Sequence, residues 1–112
     1  MKRVRVLCIP IAAALAFAGA AQAAGNAEAG KAKAAQVCAA CHGPEGNKPT
    51  APENPVLAGQ HQDYLVKALR DYKAGKRNNP IMKGFAATLS NQDMQDLAAW
   101  FSSQQSNLHF QR

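Results

Sequence analysis

Two cysteines three positions apart, with a histidine directly after the second, constrain this chain more than any other stretch: Cys38-Ala39-Ala40-Cys41-His42. On a helical turn, residues i and i+3 share a face. Both sulfurs can then add to the two vinyl groups on one side of a porphyrin, which is the attachment spacing of a c-type haem. His42 follows at once and can swing its imidazole under the iron as proximal ligand. A redox disulfide of the Cys-x-x-Cys kind belongs in a strand–helix–strand setting, and no strand pattern occurs here. A closed zinc site needs four ligands, and no second cysteine pair follows. A haem is a large apolar plate, so the rest of the chain should read as a wrapping around it.

Further residues extend the match. After Cys38 to Gly43 come Pro55-Val56-Leu57-Ala58-Gly59-Gln60-His61, then Tyr64-Leu65 on to Lys76-Arg77, then Met82, then Leu89-Ser90 to Leu97-Ala98-Ala99-Trp100-Phe101. Together they resemble a small soluble class I cytochrome c of the bacterial periplasmic type, over about residues 27–101. The chain is most similar to one half of the tandem two-haem periplasmic cytochromes, or to their single-haem relatives. The resemblance implies an all-α cytochrome c fold: three main helices and loops wrapped around one covalent haem.

The first 23 residues read as an export signal. Lys2, Arg3 and Arg5 form a positive start, Val6 to about Ala18 is apolar, and Ala21-Gln22-Ala23 is a small-x-small cleavage site. Cys8 precedes most of the apolar run, too early for lipid attachment. Removal of the signal takes three of the thirteen basic residues and none of the seven acids, so ten bases against seven acids leave +3. The basic pI therefore carries no argument for nucleic-acid binding, and no stable membrane insertion is expected after cleavage. Residues 24–112 form one small domain, with an ordered core over about 26–102 and a loose polar tail at 103–112. A domain this small needs a staple, and a covalent haem supplies one.

Three helices are legible. The first starts at Asn26 as N-cap with Glu28 in its first turn, runs into the cysteine motif and stops at Gly43-Pro44. Residues 45–59, rich in Pro, Asn, Gly and Thr, read as an irregular loop. In the family a Pro-x-Leu pair here packs on the proximal side of the haem, which falls on Pro55 and Leu57. The second helix covers about 60–74, with Leu65, Ala68, Leu69 and Tyr72 as a core-packing face. Residues 76–88, with Asn78-Asn79-Pro80 and Gly84, read as non-regular. The last helix starts at Ser90, with Asp93 as capping-box partner, and carries Met94, Leu97, Ala98 and Phe101 on one face. The resemblance implies that it crosses the first helix near Gly30.

A methionine sulfur suits low-spin haem iron as sixth ligand. Met94 lies just inside a capped helix, where it can pack on Leu89 as a hydrophobic staple. Met82 lies in a stretch able to bend toward the distal face and matches the family's ligand position. His61 and His109 read as solvated side chains; the resemblance places His61 outside the iron shell. Iron held by His42 and Met82 has no open position, so electron transfer is the function implied, without enzymatic chemistry. The resemblance sets this in the periplasm, between a quinol-oxidising membrane complex and a terminal oxidase or soluble reductase. The contrasting readings are a ligand-binding or catalytic haem protein, and a haem subunit of a larger redox complex. Lys67, Lys73, Lys76, Arg77 and Lys83 could steer the protein toward acidic partner surfaces, and Arg77 could instead neutralise a haem propionate.

Overall fold

The computed structural model describes residues 24–107, and the proposed signal at 1–23, Cys8 and the tail from 108 with His109 lie outside them. Five helices and no strand occur among the described residues: α1 (Ala27–Val37), α2 (Ala39–His42), α3 (Gln62–Lys73), α4 (Pro80–Ala87) and α5 (Asn91–Ser102). None is long and apolar enough to cross a membrane.

The Asn26 side chain caps α1 by accepting from the backbone N–H groups of Glu28 and Ala29 at 3.0 and 3.1 Å. The helix breaks at Cys38 and resumes for one turn as α2, with the Cys41 and His42 N–H groups both donating to the Cys38 carbonyl. Gly43 ends that turn at φ 83°, a conformation that costs a residue with a Cβ. The cysteine motif is thus one short turn bent off the end of α1.

α1 is held by α5. A Cβ on Gly30 would lie 1.9 Å from the Asp96 carbonyl oxygen and 2.9 Å from Trp100 Cβ. The two backbones therefore meet where the sequence leaves a side chain out, as expected. Two polar ties lock the crossing. The Asn26 N–H donates to Asp96 Oδ1 at 2.7 Å, and Lys33 pairs with Asp93 at 3.3 Å. The capping box at the start of α5 is complete, with Asp93 N–H on Ser90 Oγ at 3.0 Å and Ser90 N–H on Asp93 Oδ2 at 2.9 Å. Met94 is fully buried and clusters with Leu89, Ala34, Leu65, Val66, Leu97, Ala98 and Phe101. At the far end of α5, Gln104 donates its amide to the Trp100 carbonyl, so the residues just past the helix fold back onto it.

The second expected helix is α3, two residues shorter at its start and one at its end. It closes in a Schellman turn: Gly75 N–H reaches the Tyr72 carbonyl and Lys76 N–H the Asp71 carbonyl.

The expectation of irregular chain through residues 76–88 is overturned by α4. Asn79 accepts from the N–H groups of Ile81 and Met82 at 3.1 and 3.0 Å, and Pro80 occupies the first turn. Asn-Pro is a turn signal, but an N-capping Asn followed by Pro at the first helical position is also a helix start. Gly84 weakens a helix without ending it. Met82 is therefore presented by a helix and not by a flexible loop.

Candidate haem-binding site

Residues far apart in the chain meet around one cavity of about 330 Å³. Its walls come from the α1–α2 bend, the 44–59 loop, α3, α4 and α5, and most of its lining is apolar. Cys38, Cys41, His42, Pro55, Leu57 and Met82 all line it. A second, wider groove between α3 and α5 is flanked by Asp63, Lys67, Arg70, Asp71 and Lys76. It holds no cysteine, histidine or methionine.

His42 is buried, and its Nδ1 lies 2.9 Å from the Pro55 carbonyl oxygen. A carbonyl only accepts, so Nδ1 carries the proton and Nε2 keeps its lone pair. A hydrogen bond of this kind fixes the ring and makes it a better donor to a metal. Pro55 is exposed yet also lines the cavity, and its backbone oxygen is the atom that meets His42. Leu57 is half-buried against the core cluster.

The two thiols are half-buried. Burial, with Cys41 beside it as a lesser cause, pushes the Cys38 thiol up to about 11. A thiol activated for disulfide exchange is shifted the other way. Among the described residues, no group of three or more His, Cys, Asp or Glu side chains could hold a metal ion, so the zinc reading lacks its donors.

Met82 is half-buried and lines the cavity with His42, whereas Met94 is sealed in the core and does not. His61 sits exposed at the N-cap of α3, outside the lining. The donor set around the cavity is thus one imidazole with a free Nε2, one thioether and two thiols, within apolar walls. A porphyrin carrying iron fits that set: an apolar plate, two vinyl groups and a metal that accepts nitrogen and thioether sulfur.

The face expected on α3 divides in two. All four line the cavity, but Leu65 is buried in the core and half-buried Leu69 packs against it, while Ala68 and Tyr72 are half-buried along the cavity alone. Val66, outside that face, is the second core anchor of the helix. The cavity lining also includes Ile81 and Phe85, which the sequence did not single out, and Tyr64, which entered only through the family likeness. Tyr64, Ile81 and Phe85 are exposed apolar residues there, Ile81 to 68 %. Arg77 also lines the cavity, with its guanidinium 4.8 Å from the Tyr72 ring centre and 3.4 Å from the Tyr64 hydroxyl. Two of the basic residues are already engaged: Lys67 pairs with Asp71 and Lys73 donates to the Leu89 carbonyl. The Lys67 ammonium holds the Asp71 carboxyl below its usual range.

The family model for cytochrome c matches residues 27–105. Cytochrome c4 of Pseudomonas aeruginosa is 51 % identical over 98 residues, covering 88 % of this chain and 48 % of that protein. Cytochrome c-554(548) of Halomonas halodenitrificans is 41 % identical over 85 residues, covering 73 % of this chain and all of that protein. The structure of reduced cytochrome c4 from Pseudomonas stutzeri superposes with a TM-score of 0.69 at 48 % identity, over 76 % of this chain and 48 % of that one. The chain spans about half the length of the cytochromes c4 that it matches.

Proposed function

The chain belongs to the cytochrome c family, and on that premise we propose that it carries single electrons between periplasmic redox proteins. The observation that carries this reading is the meeting of both cysteines, His42 and Met82 around one apolar cavity. Bound haem c supplies a one-electron ferric–ferrous couple.

The chain's own residues do the rest. Cys38 and Cys41 form the two thioether links. His42 offers Nε2 to the iron, held in place by the Pro55 carbonyl. Met82 offers its sulfur from α4, a soft donor that favours the reduced state and raises the potential. Leu57 and the half-buried wall of α3 line the cavity and would shield the bound group from water, limiting solvent reorganisation when its charge changes. If His42 and Met82 both hold the iron, no position is left on it for substrate, which suits an electron carrier rather than an enzyme.

Residues 1–23 act as the export signal, and residues 24–112 are the working domain in the periplasm. The partners are redox proteins: a quinol-oxidising complex on one side, a terminal oxidase or periplasmic reductase on the other. From Tyr72 to Gln92 the chain holds Lys73, Lys76, Arg77 and Lys83 and no acid. That stretch also carries the exposed Ile81 and Phe85. A basic surface with an apolar patch suits brief docking on an acidic partner. Nucleic acid is not a partner.

Carbon monoxide binding tests the reading. The reduced holoprotein should take up carbon monoxide slowly and incompletely at neutral pH, because Met82 must leave first. Rapid, complete uptake by the unmodified protein would mean an open distal site and a ligand-binding or catalytic role.

A further inference from the structure

The carbonyl oxygens at the end of α2 have no partners within their own helix, as at any helix C-terminus. The following loop supplies them. The Cys41 carbonyl accepts from Thr50 N–H at 3.0 Å, from Thr50 Oγ1 at 3.3 Å and from Asn54 Nδ2 at 3.1 Å. Thr50 Oγ1 also lies 3.2 Å from the Ala40 carbonyl. Asn54 is the residue directly before Pro55, whose carbonyl receives the His42 Nδ1 proton. Its amide therefore joins the two chain segments whose relative position sets that hydrogen bond: the peptide just before His42 and the peptide just before Pro55. Its own N–H is fixed on the Ala51 carbonyl at 3.0 Å, so the clamp has a short, braced arm.

We propose that Asn54 is a positioning residue for the proximal histidine, acting through the Pro55 carbonyl. Thr50 already gives Cys41 its N–H, and its single hydroxyl proton is shared between the Ala40 and Cys41 carbonyls, so capping alone does not rest on Asn54. The amide adds registration. With Nδ2 on the Cys41 oxygen, the Pro55 oxygen is held where it can take the Nδ1 proton. That bond makes the imidazole more electron-rich and favours the ferric state. Removing the clamp lets the loop drift, weakens the bond and shifts the couple toward ferrous. The inference rests on the assignment of His42 as proximal iron ligand.

The test is Asn54→Leu in the holoprotein, close in size but without a donor. The equilibrium ferrous-to-ferric ratio at a fixed applied potential should rise about threefold, roughly 28 mV at 59 mV per tenfold change. Exchange of the His42 Nδ1 proton with solvent, followed by proton NMR, should quicken. Asn54→Ser, a smaller change, should move both readouts in the same direction and decides the matter if the leucine variant does not mature. An unchanged potential and unchanged proton exchange in the variant that matures would overturn the proposal, even if its melting temperature fell. The parent protein separates the two claims: without strongly shifted ring resonances for His42 in the ferric state, the ligand assignment itself fails.

Discussion

Gly30→Ala is the sharpest test of how the α1–α5 crossing is built. In an isolated helix the change would help, by about 1 kcal/mol. Here the new methyl group would sit 1.9 Å from the Asp96 carbonyl oxygen, against an ordinary contact of 3.4 Å or more. The helices must part by about 1.5 Å at that point, the difference between those two distances. The obstacle is helical backbone, which cannot rotate away as a side chain would. Overpacking a tight core costs about 1–3 kcal/mol, and the rigid obstacle places this case at the upper end. Parting also strains the Asn26–Asp96 and Lys33–Asp93 ties. Setting the propensity gain against about 3 kcal/mol leaves a net loss of about 2 kcal/mol. For a domain of this size that lowers the melting temperature by about 8–16 °C. Thermal unfolding of the holoprotein, followed by far-ultraviolet circular dichroism, reads it directly. A melting temperature that stays put or rises would refute the close crossing.

Met94→Ala removes a fully buried side chain and should cost about 2–5 kcal/mol in thermal or denaturant unfolding, while the visible spectrum of the iron stays as in the parent. Asn79→Ala deletes the cap of α4 at a cost of about 1 kcal/mol, lowering the melting temperature by about 4–8 °C; carbon monoxide should then bind the reduced protein faster. The Asp93 carboxyl is held below its ordinary value, first by the Ser90 N–H and also by Lys33. A depressed carboxylate stabilises the fold above the ordinary carboxylate range and loses that contribution as pH falls through the depressed value. Denaturant titrations below about pH 4 should show a shallower loss of stability with falling pH in Asp93→Asn than in the parent.

The terminal helices were open to reading because their signals are local. Asn26 with Glu28, and Ser90 with Asp93, each lie within one turn of what they cap. The crossing at Gly30 came from family likeness, and its geometry fits the missing side chain. α4 escaped because Asn79-Pro80 serves two local purposes, turn and helix start, and only neighbouring α3 decides between them. Eight residues with an interior glycine make a marginal helix alone; Leu69 and Tyr72 of α3 face the same cavity as Met82 and Phe85. Of the face read as core-packing, Leu65 and Leu69 do meet the core cluster, whereas Ala68 and Tyr72 do not, for a related reason. Their period is that of a buried face, and periodicity cannot tell a protein core from a cofactor wall. The roles of Asn54 and of the Pro55 carbonyl left no trace in composition. Each acts on a partner thirteen residues away through atoms whose direction only the folded loop determines.

Axial ligation is where the account stands or falls, and the visible spectrum of the ferric holoprotein reads it most directly. A weak far-red band from methionine sulfur on ferric iron should appear in the parent protein, vanish in Met82→Ala and persist in Met94→Ala. A band that survives Met82→Ala, or a parent protein without one, would contradict ligation by His42 and Met82.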